Sequence, residues 1–416
     1  MNFKHVILTA LAVLALASCA KVESTVLVPQ PTPESRDVAL NFGIYVPQTK
    51  AGAAGAIDNT TLKTTGFGVL AYVKSGVYDG SGTPNFMYNQ EVTCSGGYWT
   101  YSPVKYWPNQ LDDNGINGVP QAAQQVSFFA YAPYVETPGG TAGIVALSDA
   151  EATGDPTITY KVSADLDQNV DLVWGTANGS DWTNAAGETK TLTEGLPILD
   201  IKKPSVDTRV AFKFYHALAQ LNLTAQGSYN IVGAGGMAQD GVKITIGEVK
   251  LTVPDQYNMG ILNLNNTSAK TPLWDLTTPG TSEVDLDLTV SGTKLNAAVL
   301  DEGAKTAAAQ SATGVTAIEG PVLADGKYFT LLPRVASTTV TVRVTYYVTT
   351  DDPKLDGGYS RVKNVIEKSI VFSQGFQAGK KYNIKMVLGL TSVTLSAEVA
   401  DWETGDTIAT YLPKNE

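Results

Sequence analysis

The chain has 416 residues, of which 43% are apolar and 17% are charged, and its formal net charge at pH 7 is −11. Ordinary globular domains contain about 25% charged residues, so the low charged fraction and the 39 glycines favour strands and turns over helices. The negative charge and the lack of any lysine and arginine cluster argue against nucleic acid as a partner, and two cysteines cannot supply a disulfide framework.

The chain begins with an export signal. Residues 1–18 contain Lys4 followed by an apolar run over residues 6–17, which is too short to span a membrane as a mature anchor. Leu16-Ala17-Ser18-Cys19 resembles a bacterial lipobox, in which small residues fit the signal peptidase and the cysteine thiol receives the lipid. We therefore predict a signal peptide over residues 1–18 and acylation of Cys19, for example with palmitate. A soluble secreted protein whose signal contains a cysteine is the alternative.

A polar tether follows the lipidation motif. Residues 19–36 are rich in Pro, Ser, Thr and Glu, and they carry too few apolar side chains to pack. About 380 residues remain after the tether, which by length alone corresponds to two or three domains.

Residues 38–46, VALNFGIYV, are typical of a β-strand. The apolar residues alternate with small or polar ones, so one face of the strand needs a core; these apolar residues are Val38, Leu40, Phe42, Ile44 and Val46. The segment 47–56 that follows consists largely of small residues that bury little, and it offers a trypsin-like protease a site between Lys50 and Ala51. The sequence therefore predicts a first strand joined to the rest of the chain by a cleavable hinge. An ordinary loop after the first strand is the alternative.

Short strands separated by turns fill residues 60–200, for example at 66–73, 98–101 and 126–131, and no window predicts a long amphipathic helix. Aromatic residues cluster at 105–107, 128–134 and 171–174. We interpret these clusters as the core of a β-sandwich, because aromatics beside Pro and Gly at strand ends usually close such cores. An exposed sugar-binding row is the alternative.

Alternation is more regular in the second half of the chain. It predicts strands at 242–253, 284–290, 340–348 and 365–372, and a hairpin whose strands 381–388 and 393–399 meet at Gly389-Leu390-Thr391. Residues 202–204 form a polar break, and residues 206–224 are interpreted as the start of a new pair of strands. We therefore expect an all-β protein of two tandem β-sandwich domains, residues 37–205 and residues 206–416.

The tail, residues 403–416, has the pattern of a strand that can leave its own domain. Residues 403–406 form a turn, and the alternating run 407–412 presents apolar groups on both faces before Pro413 ends it. The candidate contact residues are Ile408, Tyr411 and Leu412. A last strand that packs on its own sheet is the alternative.

Residues suited to catalysis are scarce. His216 is the only histidine outside the signal peptide and lies in an apolar strand, so a core role is favoured, and Cys94 is alone once Cys19 is acylated. The sequence contains no zinc motif, no nucleophile elbow and no phosphate-binding glycine loop. We predict no enzyme activity, no cofactor and no metal. An acidic pair for glycoside hydrolysis stays open, because such a pair is defined by a separation in space.

Several motifs together resemble the fimbrillin family, the lipoprotein precursors of type V pili in Bacteroidetes. Residues 103–108 (PVKYWP), 126–133 (VSFFAYAP) and 171–174 (DLVW) are similar to its N-terminal domain. Residues 212–221 resemble the start of its second domain, and residues 379–384 and 399–402 resemble its closing strands. The resemblance implies two transthyretin-like β-sandwiches in a structural pilus subunit.

In that family, the resemblance implies, a lipidated precursor reaches the outer membrane and a trypsin-like protease removes the first strand. The exposed groove then accepts a strand from another subunit. Cys19, Lys50 and the tail match these parts, so we expect a stalk subunit of a homopolymer. Stalk subunits are typically cut after arginine, whereas the hinge here carries Lys50 and Arg36 precedes the strand. An uncleaved anchor or tip subunit is therefore an alternative, as are a surface glycan-binding lipoprotein and a secreted glycosidase.

Overall fold

A computed structural model describes residues 39–45, 56–108, 124–204, 208–228, 242–277, 283–296, 319–324, 326–390 and 392–402. Several predicted features lie outside the described residues and stay predictions: the signal peptide, Cys19, the tether, Val38, Val46, Lys50, Ala51, and the tail with Ile408, Tyr411 and Leu412. Within the described part of the chain, no helix has the length and apolar character needed to cross a membrane.

The described chain is nearly all β, which confirms the predicted fold class. One seven-residue helix, α1 (Asn59–Thr65), is capped by Asp58, whose Oδ1 accepts hydrogen bonds from the N–H groups of Thr60 and Thr61. Single-turn 3₁₀ helices lie at Leu166–Gln168 and Gly292–Lys294. The strands before residue 217 are β1 (Asn41–Tyr45), β2 (Phe67–Ser75), β3 (Met87–Ser95), β4 (Tyr98–Thr100), β5 (Gln124–Ala132), β6 (Gly143–Leu147), β7 (Thr157–Lys161), β8 (Val173–Ala177), β9 (Asp181–Thr183), β10 (Thr189–Thr191), β11 (Ile198–Ile201) and β12 (Arg209–His216).

The strands after residue 217 include two of fourteen residues and one of sixteen. They are β13 (Ala219–Gly227), β14 (Val242–Tyr257), β15 (Met259–Asn263), β16 (Leu273–Asp275), β17 (Glu283–Ser291), β18 (Gly320–Pro321), β19 (Phe329–Leu331), β20 (Thr338–Asp351), β21 (Tyr359–Phe372), β22 (Lys380–Leu388) and β23 (Val393–Asp401).

The first sheet has the strand order β1-β12-β8-β5-β2-β3-β4, with β11 also paired to β5. The β1–β12 pair is parallel, and the other pairs of this sheet are antiparallel. The sheet is curled, as the contact between its two ends shows. The ring of Phe42 on β1 meets the ring of Tyr101, one residue beyond β4 at the other end of the strand order. Its concave face is filled by one apolar cluster that includes Phe67, Phe128 and Phe212.

A β-sandwich forms the second half. One sheet has the order β17-β14-β20-β21, and the other has the order β18-β13-β22-β23 with β19 also paired to β13. Val249 and Val344 from the first of these sheets share a buried apolar cluster with Leu223 and Ile384 from the second. The predicted hairpin is confirmed, since β22 and β23 pair antiparallel throughout their lengths.

A further sheet, with the order β16-β15-β7-β6, connects the two halves of the chain. Strand β7 from the first half pairs with β15 from the second, with Thr157 opposite Asn263 and Lys161 opposite Met259. A separate two-stranded sheet, β9 with β10, completes the strand pairings.

The predicted boundary at residue 205 precedes β12, yet β12 pairs with β1 and β8 in the first sheet. Strand β13 pairs with β22 in the sandwich, so the prediction that residues 206–224 begin a new strand pair is wrong. The chain changes sheets at Ala217 and Leu218, both fully buried, without a polar turn. Because apolar alternation continues on both sides of this point, periodicity gives no sign of the change. The change of sheet lies after His216.

Candidate functional site: the first strand and its groove

Strand β1 lies at one end of the first sheet and is buried. Its backbone pairs with β12 in parallel, from Asn41 opposite Arg209 to Tyr45 opposite Lys213. Leu40, Phe42 and Ile44 expose 0%, 1% and 4% of their surfaces. The structure therefore places the three described apolar residues of the predicted strand in the core, as their alternation indicates.

The ring of Phe42 is the central contact of β1. Its centroid lies 5.3 to 6.5 Å from four other rings, which belong to Phe67, Tyr101, Phe128 and Phe212. Phe212 comes from β12, and Gly175 on β8 leaves room for it, because a Cβ at Gly175 would lie 3.1 Å from the Phe212 ring. The groove that holds β1 is thus lined with aromatic rings, which bury large apolar areas.

Residues 101–106 cover the other side of the start of the strand. The Tyr101 hydroxyl donates to the carbonyl oxygen of Leu40 at 2.7 Å, and the Leu40 N–H donates to the carbonyl oxygen of Lys105 at 2.9 Å. Burial raises the pKa of Tyr101 to about 12, so its hydroxyl keeps the proton that it donates. The first strand therefore lies in a two-sided groove, between β12 and residues 101–106.

Glu194 fixes β12 near the end of β1. Its Oε1 accepts hydrogen bonds from Lys213 Nζ at 2.8 Å and from Tyr215 Oη at 2.7 Å, and it forms an ion pair with Lys270 Nζ at 2.8 Å. The Lys213 ammonium, with Lys270 and Tyr215, lowers the pKa of Glu194 to about 2, so the carboxylate is charged at neutral pH. The strand that pairs with β1 is thereby held to two neighbouring loops.

A buried polar cluster lies beside Ile57, shortly after the hinge. The N–H of Ile57 donates to Asp171 Oδ2 at 2.8 Å, and the same oxygen lies 2.9 Å from Nδ1 of His216. Trp402, the last described residue, stacks on the His216 ring with a centroid distance of 3.9 Å and an interplanar angle of 10°. Asp171, His216 and Trp402 are 1%, 3% and 4% exposed, which confirms the core interpretation of His216.

The described residues offer few groups suited to catalysis. No group of three or more His, Cys, Asp or Glu residues suited to holding a metal ion occurs among the described residues. Cys94 is half-buried on β3, opposite Trp99 of β4. The carboxylate of Asp171 faces a histidine, but both groups are buried away from solvent.

Most aromatic side chains of the three clusters form core rather than a sugar-binding row, and Tyr106 is 46% exposed. Trp107, Phe128, Phe129 and Tyr131 are fully buried, and Trp174 is 1% exposed. Two cavities of about 480 Å³ lie elsewhere, one over β13, β22 and β23 and the other between residues 190–200 and 265–267. Neither cavity is lined by an aromatic side chain, which a sugar platform would supply.

The roles of Tyr101, Asp171 and Trp402 in this site are not predictable from the sequence. Tyr101 and Trp402 each lie in a predicted strand or motif, but nothing in the sequence indicates that their side chains reach β1 and His216. Asp171 is visible only as the first residue of an aromatic cluster. These contacts join residues 61 to 186 positions apart in the chain, a separation that local patterns do not encode.

Comparison with known proteins gives the family. The model of the fimbrillin-like family matches residues 49–402. The chain belongs to the fimbrillin-like family. This confirms the resemblance drawn from the motifs, and the family is one of structural fimbrial proteins rather than enzymes.

Two similar proteins illustrate the match. Fimbrium subunit Fim1C of Phocaeicola vulgatus is 27% identical over 282 residues, which cover 66% of this chain and 63% of that protein. The crystal structure of a fimbrial protein from Bacteroides vulgatus superposes with a TM-score of 0.61 at 23% identity, covering 88% of this chain and 99% of that chain. At this identity the structural match shows a shared fold.

Proposed function

We propose that this fimbrillin is a structural subunit of a cell-surface pilus that polymerises by exchanging its first strand for a strand of another subunit. The observation that carries the proposal is β1 itself. It fills an aromatic groove with three buried side chains and pairs along its length with β12, while residues 101–106 bond the start of the strand at Leu40. A strand held in this way can be replaced by another of similar pattern.

The free energy of burial indicates that β1 must be replaced by another strand when it leaves. Burial of Leu40, Phe42 and Ile44 is worth about 5 to 9 kcal/mol as an upper estimate. A typical domain has a total stability of about 5 to 15 kcal/mol. A subunit without β1 would expose the Phe42 site and the edge of β12, so an incoming strand is needed to restore the fold.

Delivery and processing complete the proposal. Acylation of Cys19 would hold the precursor in the outer membrane, and a trypsin-like protease would cut between Lys50 and Ala51 to release the first strand. The partners are other copies of this chain. The stalk is the proposed position, since the tail extends beyond the last described strand and has the pattern of a donor strand.

One observation favours a second role. The hinge carries Lys50 in place of the arginine that the stalk resemblance implies, and Arg36 lies before the strand. A subunit left uncut at Lys50 would keep β1 and would not accept a donor, which is the behaviour of a non-polymerising anchor or tip.

N-terminal sequencing of protein from sheared surface filaments tests the function. We expect the filament subunit to begin at Ala51, because residues 19–50 leave during maturation. Subunits that begin at the acylated Cys19 and occur as single copies would support the anchor or tip role. Absence of the protein from the filaments would contradict the pilus function.

The lipid route has its own test. Cys19→Ser removes the thiol that takes the lipid, so we expect unprocessed precursor and loss of surface delivery. Ser18→Ala, which keeps a small residue and the thiol, is the matched control and should be delivered normally. Measurement is by surface labelling of intact cells and metabolic labelling with a fatty acid. Normal display of Cys19→Ser would exclude this route.

A further inference from the structure

Strand β21 forms a long edge of the sandwich. It pairs with β20 over its whole length, from Tyr359 opposite Asp351 to Phe372 opposite Thr338. It is the last strand in the order β17-β14-β20-β21, and among the described strands none pairs with its other side. The backbone N–H and C=O groups on that side can therefore bond a further strand.

The two faces of β21 have different surroundings. Ile366 and Ile370 pack against the sandwich core, so the even-numbered residues face inward. The odd-numbered residues face outward, because side chains alternate along a strand. On the outward face Val365 and Val371 expose 46% and 62% of their surfaces. The edge thus presents apolar side chains as well as backbone groups.

Two opposite charges lie symmetrically about Val365. Lys363 and Glu367 are both exposed on the outward face, two positions before and after this valine. Neither side chain forms an ion pair with another described residue, and this includes Arg343, which lies opposite Glu367 on β20. Both charges are therefore available to a chain that approaches the edge.

We propose that β21 is a self-association surface, at which it pairs antiparallel with β21 of a second copy about a two-fold axis at Val365. In this register Lys363 of each copy lies opposite Glu367 of the other, so the two-fold axis makes the ion pair twice. Val365 meets Val365 between them. Charges usually keep open edges apart, but on β21 their order makes the edge complementary to itself.

Neighbouring registers are less favourable. With the axis at Lys363 or at Glu367, each of these residues would face its own copy, and like charges opposite each other destabilise a strand pair. With the axis at Asn364, Arg361 would face Glu367. The Arg361 guanidinium, however, already lies over the Tyr347 ring, 3.7 Å from its centroid. The axis at Val365 is therefore the register that the free charges favour.

A single contact of this kind is weak, because one strand pair buries less surface than a stable complex and an exposed ion pair contributes little. The dilute precursor is therefore a monomer, and it dimerises at high concentration. A filament would present one such edge on every subunit, so weak contacts could act together between neighbouring filaments. The association goes beyond the proposed function, since it does not need β1 to leave.

Sedimentation equilibrium of the purified, uncut precursor over a range of concentrations measures the dimer. Lys363→Glu sets like charges opposite each other at two places, so we expect the dissociation constant to rise about tenfold or more. Addition of Glu367→Lys to that variant restores opposite charges and should return the constant close to the wild-type value. Lys354→Glu is the matched control, because Lys354 is exposed in the turn between β20 and β21. It should not change the constant.

A further variant tests the two-fold axis. Val365→Lys sets an ammonium opposite its own copy, so it should weaken the dimer. It would instead strengthen pairing with β17 of another copy, which carries Asp285 and Asp287 at the opposite edge of the sheet. Circular dichroism of each variant checks that the fold is kept.

The proposal is overturned if the precursor stays monomeric at every concentration, if the Lys363→Glu, Glu367→Lys pair associates as weakly as the single variant, or if Val365→Lys strengthens association. None of these measurements involves a protease or a filament. Failure of edge pairing is therefore distinguishable from failure of strand exchange, which is read from oligomers formed after cleavage.

Discussion

Cleavage of the purified precursor after Lys50 should convert a stable monomer into oligomers. The cut changes the pairing of β1 with β12 from an intramolecular contact into one between separate chains, so the strand can dissociate. Loss of the strand exposes the rings around the Phe42 site and the edge of β12, and the upper estimate of about 5 to 9 kcal/mol for its three side chains is comparable with the stability of a domain. The cut subunit should not persist as a free monomer.

Brief trypsin treatment followed by size-exclusion chromatography measures this result. Mass spectrometry of the products shows whether the cut is at Lys50. Lys50→Ala is the matched control, and it should stay monomeric under the same treatment with β1 in place. A wild-type protein that gives only a nicked monomer, with the first fragment still bound, would contradict strand exchange through this hinge.

Much of the fold follows from the sequence alone. Strict alternation in residues 381–399, with a turn at Gly389, predicts the β22–β23 hairpin, and the register confirms it. The pattern works there because β22 has one buried and one more exposed face, and β23 starts with buried Val393. The shortage of helix is also predictable, since no window has the required period, and the one described helix has seven residues.

The connections between distant strands are not predictable in this way. Strand β1 finds its partner in β12, about 170 residues later, and the pairing is parallel, so no hairpin turn signals it. The passage from β12 to β13 carries apolar residues throughout and hides a change of sheet at Ala217. Polar residues at 202–204 suggest a boundary instead, although β12 still belongs to the first sheet.

In the candidate site, too, some features are predictable from the sequence and others are not. Burial of Leu40, Phe42 and Ile44 is expected from their period of two, because that pattern requires only one covered face. The Tyr101 hydrogen bond to Leu40 and the stack of Trp402 on His216 depend on the curled sheet and on the meeting of three chain segments. Such contacts are set by tertiary packing, so residue type alone does not identify them.

Removal of residues 407–416 should abolish polymer extension while leaving the acceptor groove intact. The run 407–412 would span about 20 Å as a strand, at about 3.3 Å per residue, which is close to the length of chain that β1 places in the groove. Its apolar residues Ile408 and Leu412 lie on one face at the spacing of Leu40 and Ile44, with Thr410 at the position that Phe42 holds in β1. Truncated subunits cut at Lys50 should therefore accept a donor strand but supply none.

Mixing experiments make this prediction specific. Added to cut full-length protein, truncated subunits should cap growing polymers and shorten them in proportion to their fraction, as measured by electron microscopy. A full-length variant with Ile408→Ser and Leu412→Ser should behave like the truncation, whereas Thr407→Ser with Thr410→Ser, a change of matched position and length, should polymerise normally. If truncated subunits polymerise as well as full-length ones, the donor lies elsewhere. The tail would then belong beside β23, the strand at the edge of the last sheet.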